Sequence, residues 1–105
     1  MIFDNQVKVK VVQIINYSLS FLGENAKNAI IYQFMSSNNL VSEEELADHI
    51  EDFEAYLNDI FGYGVSFILP SIVNRLYNQF NISPRSIAKL TLTRAISEIK
   101  RRHVQ

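Results

Sequence analysis

From Leu46 to Ile60 the large apolar residues fall at Leu46, Ile50, Phe53, Leu57 and Ile60, at intervals of four, three, four and three. That rhythm follows the helical repeat of about 3.6 residues and lines five side chains along one stripe of an amphipathic helix. A helix that is apolar on one stripe must cover it with other elements, so the fold class depends on whether the rest of the chain reads the same way. It does. Val7 to Leu22 opens as Val-Lys-Val-Lys-Val, an alternation that suits a strand, but sixteen residues are long for a strand and ordinary for a four-turn helix. On a helical projection Val7, Val11, Ile14, Ile15, Ser18, Leu19, Phe21 and Leu22 share one half, with Val9, Gln13, Asn16 and Ser20 opposite.

The punctuation between these stretches is helical too. Gly23 stops the first helix, because glycine accepts the left-handed backbone that often ends one. Asn25 is the expected N-cap of a second helix, which runs through Ala26, Ala29, Ile30, Gln33 and Phe34 and stops at Ser37-Asn38-Asn39. Ser42-Glu43-Glu44-Glu45 matches a capping box and starts a third helix, and the sequence leaves open whether 43–61 is one helix or two divided between Asp48 and Asp52. After Phe61-Gly62-Tyr63-Gly64 a fourth helix is expected from about Val65 to Phe80, facing inward with Val65, Ile68, Leu69, Ile72, Leu76 and Phe80. Pro70 lies inside it and predicts a kink or a later start, since proline cannot donate its backbone hydrogen bond. Ser83-Pro84 suits the opening of a fifth helix, 84–102, with core face Ala88, Leu92, Ala95, Ile96, Ile99 and His103. The expectation is one compact all-α domain of five helices with short connections, covering 1–105.

Size and composition agree. A chain of 105 residues that is 48% hydrophobic holds one core and has enough apolar side chains to offset its ordering entropy. It has no cysteine, which removes disulfides, thiolate metal ligands and cysteine nucleophiles together and suits a reducing compartment. No apolar run is long enough to span a bilayer, and the N-terminus lacks the pattern of a secretory signal, so a cytoplasmic protein is expected.

The stretch Phe21-Leu-Gly-Glu-Asn-Ala-Lys-Asn-Ala-Ile-Ile-Tyr32, followed roughly thirty residues later by Phe53-x-x-x-Leu57-x-x-Ile60-Phe61-Gly62-x-Gly64, resembles a family of small all-helical domains known mainly from archaea. That family includes the Nitrosopumilus-type output domains of signalling proteins. The likeness covers about 19–80 and leaves the helix after Pro84 as an addition. The resemblance implies an all-α fold and an interaction or output role without a catalytic site, and it carries over no functional residue.

The residues themselves offer little chemistry. His49 has Glu45 a turn before it and Asp52 a turn after, which makes a partial cation site of three groups on one helix, short of what a specific metal site requires. Gly64-Val65-Ser66 lacks the second glycine of a nucleophile elbow. Phe61-Gly62-Tyr63-Gly64 has neither the preceding strand nor the lysine of a phosphate loop, so a helix-to-helix turn accounts for both glycines. No enzyme activity, cofactor or metal is expected.

Charge is the sharper clue. Glu43 to Asp59 holds eight acids and no Lys or Arg, whereas the chain after Pro70 holds seven cations against the single acid Glu98, although net charge is only −1. On the last helix Ile87, Leu90, Arg94 and Arg101 form a second surface beside Glu98, away from the core face. Two uses of that surface compete. In one, the domain is a non-catalytic interaction or signalling-output module, self-associating as a homodimer in which each basic helix meets the partner copy's acidic segment, with Tyr17, Tyr56, Tyr63 and Tyr77 as anchors. In the other, Lys89, Arg94, Lys100, Arg101 and Arg102 contact nucleic-acid phosphates, helped by Thr91 and Thr93. The near-neutral charge and the acidic segment favour the first.

Overall fold

Asp4 begins the first helix by accepting a hydrogen bond from the Gln6 amide at 2.9 Å, an N-cap that commits Val-Lys-Val-Lys-Val to a helix rather than a strand. The structure, a computed structural model, describes residues 4–82 and 91–102. Helix α1, Asn5–Leu19, buries Val7, Val11, Val12, Ile14, Ile15, Ser18 and Leu19, which is the half its periodicity marks out. The chain then tightens into a 3-10 turn over Ser20–Leu22 and reverses at Gly23, whose φ of 93° is in the region open to glycine. Gly23 also stands at the cap of α2, Glu24–Ser37, in the place expected for Asn25.

Helix α2 ends as its asparagines predict. Asn39 takes a φ of 56°, while the Leu40 amide reaches the Met35 carbonyl at 2.9 Å and the Asn39 amide reaches Ser36 at 3.3 Å, the paired bonds of a Schellman motif. Only Ile31 and Phe34 of this helix are buried, so α2 lies on the flank of the core. Phe34 is its peg: its ring meets Phe53 edge-on at 5.1 Å and Tyr56 at 5.2 Å, and the Tyr56 hydroxyl donates to the Ile30 carbonyl at 2.7 Å.

The acidic segment departs from expectation at its start. Glu43–His49 winds as 3-10 helix, and the α-helical α3 begins only at Ile50, running Ile50–Phe61. Of the one helix or two that the sequence leaves open over 43–61, the structure has two segments, dividing at His49. Ser42 makes no side-chain cap; Glu45 instead accepts from the Val41 amide at 2.8 Å, one residue further back than a capping box requires. Leu46, Ile50, Phe53 and Leu57 are buried, but Ile60, the last of the stripe, is exposed.

A 3-10 turn at Gly62–Gly64 leads into α4, Val65–Gln79, which runs through Pro70. The helix neither stops nor starts late at the proline. Pro70 and Ser66, whose carbonyl cannot pair with the proline nitrogen, both lie on the exposed side of the helix, open to solvent. Asn81, with φ 54°, closes α4 by a second Schellman motif, the Ile82 amide bonding Tyr77 at 2.9 Å. The expected helix start at Ser83-Pro84 lies outside the described residues. Helix α5 is Leu92–Arg102, with Thr91 non-helical before it, so a single uninterrupted helix over 84–102 is replaced by one opening at Leu92.

Every regular element among the described residues is helical, which makes the fold all-α. Helix α1 packs on the 3-10 segment and on α4, and α5 wedges against both α3 and α4. Leu92, Ala95, Ile96 and Ile99 of α5 enter the common core, as the sequence periodicity requires. No helix among the described residues is long and apolar enough to cross a membrane.

Candidate interaction site

Two oxygens of Glu54, on α3, hold the start of α5. Oε2 accepts from the Leu92 amide at 3.0 Å, and Oε1 accepts from the Thr93 amide at 3.0 Å and from its hydroxyl at 2.6 Å. The Thr91 hydroxyl accepts from the Arg94 amide at 3.1 Å, completing the cap. A carboxylate here satisfies amides that have no partner inside the helix and opposes the positive end of its dipole. Thr91 and Thr93, expected as phosphate contacts, are thus engaged in positioning α5.

The cations of α5 are only partly available. Arg101 donates to both oxygens of Glu98 at 2.9 and 2.8 Å, and Arg102 reaches the same carboxylate at 3.4 Å. The Arg101 hydrogen bond is the main reason the Glu98 carboxyl is held below the usual range. Arg94, Arg101 and Arg102 are exposed, and Lys100 is half-buried beside His49 and Asp52. Ile87, Lys89 and Leu90, the rest of the surface read from the sequence, lie outside the described residues, as do Ala88 and His103. The acidic segment finds a cation outside the basic half, at Asp48, which pairs with Lys8 of α1 at 2.8 Å.

His49 does not gather a metal site. Its Nδ1 is 3.9 Å from Asp52, while Glu45 is turned back to the Val41 amide, and no group of three ligating side chains occurs among the described residues.

The surface that the sequence reading missed lies on the other side, between α1 and α4. Tyr17, Phe21 and Phe67 are 65%, 67% and 83% exposed, and together with Leu22, Phe61, Ile68 and Arg75 they line a groove of about 630 Å³. The two helices run antiparallel here. A smaller recess of about 210 Å³ shares Tyr17 and Arg75 with the first and extends along α1 to Lys10, Gln13 and Gln79. The Arg75 guanidinium stands 4.7 Å from the centre of the Tyr17 ring, and Lys10 Nζ 5.5 Å from that of Phe80. Ser18, on the groove's floor, has a buried hydroxyl with no hydrogen-bond partner among the described residues.

Phe21 escapes the periodicity argument because the helix tightens at Ser20 and turns the following side chain out of its projected position. Phe67 left a readable signal: at helical spacing it shares a row with Ser71, Asn74 and Asn78, so an aromatic sits on the polar side of α4. Of the tyrosines expected as anchors, Tyr17 and Tyr63 are exposed, whereas Tyr77 is buried and Tyr56 is half-buried in the Phe34 cluster. Burial pushes the Tyr56 and Tyr77 hydroxyls above their ordinary pKa, aided at Tyr77 by Glu98 and opposed by Arg94.

No protein-family model matches the chain, and neither a curated protein nor a solved structure was found to match it.

Proposed function

We propose that this domain is a non-catalytic protein-interaction module whose working surface is the groove between α1 and α4. The observation that carries the reading is the gathering of the exposed Tyr17, Phe21 and Phe67 around one groove, whereas the other exposed large apolar residues, Tyr32, Val41, Ile60 and Tyr63, do not line it. Contiguous apolar surface of this kind marks binding sites, because leaving it in water forgoes roughly 25 cal/mol for each Å². A signalling-output role, implied by the resemblance of 19–80 to output domains, is the cellular form of the same reading.

Self-association through α5 is the form expected from the charge pattern. The exposure of Arg94, Arg101 and Arg102 supports it, and the engagement of Arg101 and Arg102 with Glu98 and of Glu54 with the α5 amides weakens it. The same pairings, with Thr91 and Thr93 committed to the cap, leave nucleic-acid binding by α5 with less support still.

The test is the double variant Phe21→Ser/Phe67→Ser. Each ring is mostly in water, so each change should move stability by no more than about 0.5 kcal/mol and the pair should shift the melting temperature by at most roughly 4–8 °C. Binding of an apolar dye such as ANS to the folded protein should fall, and so should any concentration-dependent association seen by light scattering. If the variant loses cooperative melting, the two rings serve the core and the groove is not a free surface.

A further inference from the structure

Resting on that reading, we infer that the groove's occupant is an acidic amphipathic helix of another protein. Three observations select it. The first is shape: the lining runs from Lys10 along α1 to Phe21 in the turn that follows it, eleven residue steps or about 16 Å at about 1.5 Å per step, which matches three turns of a docked helix. An apolar face with anchors at i, i+3, i+4 and i+7 is what such a groove accepts.

The second is charge. Among the described residues lining both parts of the groove there are two cations, Lys10 and Arg75, and no acid. Each cation stands over an aromatic ring, and neither forms an ion pair with a carboxylate among the described residues, whereas Lys8, Lys27, Arg101 and Arg102 all do. The groove therefore grades from an aromatic end at Phe21, Phe61 and Phe67 to a cationic end at Arg75 and Lys10. A helix whose apolar stripe is followed by carboxylates complements both ends at once.

The third is what the alternatives lack. A second copy docked groove-to-groove about a two-fold at Tyr17 sets Arg75 against Arg75, a like-charge contact. Docking the acidic α3 of a second copy instead offers the wrong face, since its outward residues are Glu51, Asp52, Ala55, Asn58, Asp59 and the single apolar Ile60, while Ile50, Phe53 and Leu57 of its stripe are buried. A single-stranded nucleic acid would stack on the aromatics, but two cations and a floor of Ile14, Leu22 and Ile68 give no row of charge to follow its phosphates.

The experiment is fluorescence polarisation with two labelled helical peptides sharing one apolar stripe of Leu and Phe, one carrying Glu at the end of the stripe and the other Lys. The Glu peptide should bind the wild-type chain with micromolar affinity and about tenfold or more tighter than the Lys peptide, the difference shrinking as salt rises. The exchange Lys10→Glu/Arg75→Glu, at two exposed positions, should invert that preference, and Phe21→Ser/Phe67→Ser should weaken both peptides. Equal binding of the two peptides, or a preference unmoved by the exchange, overturns the acidic occupant while leaving the interaction reading intact. A dimer in light scattering that Phe21→Ser/Phe67→Ser dissolves assigns the groove to a second copy, and displacement of the Glu peptide by an oligothymidylate assigns it to nucleic acid; either overturns the inference. A monomer that binds neither peptide and no ANS defeats the interaction reading along with it.

Discussion

Ser18 shows what a single residue's position in a periodic pattern reveals and what it conceals. Its place on the apolar half of α1 makes its burial readable from spacing alone, and it is 5% exposed. What spacing cannot show is whether the hydroxyl finds a partner, which depends on carbonyls and side chains brought up by the rest of the fold. Among the described residues it finds none. A buried polar group without a hydrogen bond costs about 1–3 kcal/mol, so Ser18→Ala should stabilise the domain, by about 1 kcal/mol, and raise the urea midpoint with an unchanged slope. A fall in the midpoint would mean that the hydroxyl is bonded in solution. Phe21 and Phe67 show the converse: hydrophobicity assigned Phe21 to the core, yet one tightened turn at Ser20 puts its ring in water.

At the scale of elements, the parts legible in the sequence are those fixed by local chemistry. Asn39 and Asn81 end α2 and α4 because asparagine tolerates positive φ, and the apolar stripes of α1 and α4 face inward because the helical repeat leaves them no other side. The beginning of α5 was not legible in this way. Its cap comes from Glu54, 38 positions earlier than Leu92, and in sequence Glu54 is one acid among eight that looks like part of a wetted face. The charge segregation thus resolves in part as a carboxylate placed on a helix N-terminus, a contact that no ion-pair pattern predicts. Glu54→Ala removes an acceptor from two amides and one hydroxyl and should destabilise the domain by about 1–3 kcal/mol. Hydrogen exchange should locate the effect, with the first amides of α5 losing protection before those of α1. Uniform loss across the chain, or none, would show that the carboxylate does not hold this terminus.

For the molecule as a whole, the question is whether α5 is an addition or part of the core. An expectation drawn from the sequence, with a likeness ending near residue 80, makes it an addition, and an exposed basic helix would be dispensable. Packing argues the opposite. Leu92 and Ile99 are fully buried and Ile96 nearly so, and α5 touches both α3 and α4, which otherwise meet sparsely. Each of these three side chains contributes about 1.5–3 kcal/mol when buried, against a total stability of about 5–15 kcal/mol for an ordinary domain. Removing them also uncovers the apolar surfaces of α3 and α4 that they protect. Helix α1, which begins well before the region of likeness, is equally central, so the folding unit is the chain from α1 through α5. A chain ending at residue 82 should therefore lose cooperative thermal unfolding, bind ANS strongly and aggregate, even though it retains the whole of the α1/α4 groove. Adding back 83–105 as a separate peptide should restore part of the helical circular dichroism if the core contacts drive α5 into place. A truncated chain that melts cooperatively near the full-length temperature would instead make α5 an appendage, and would return its exposed cations to the front of any account of what this protein binds.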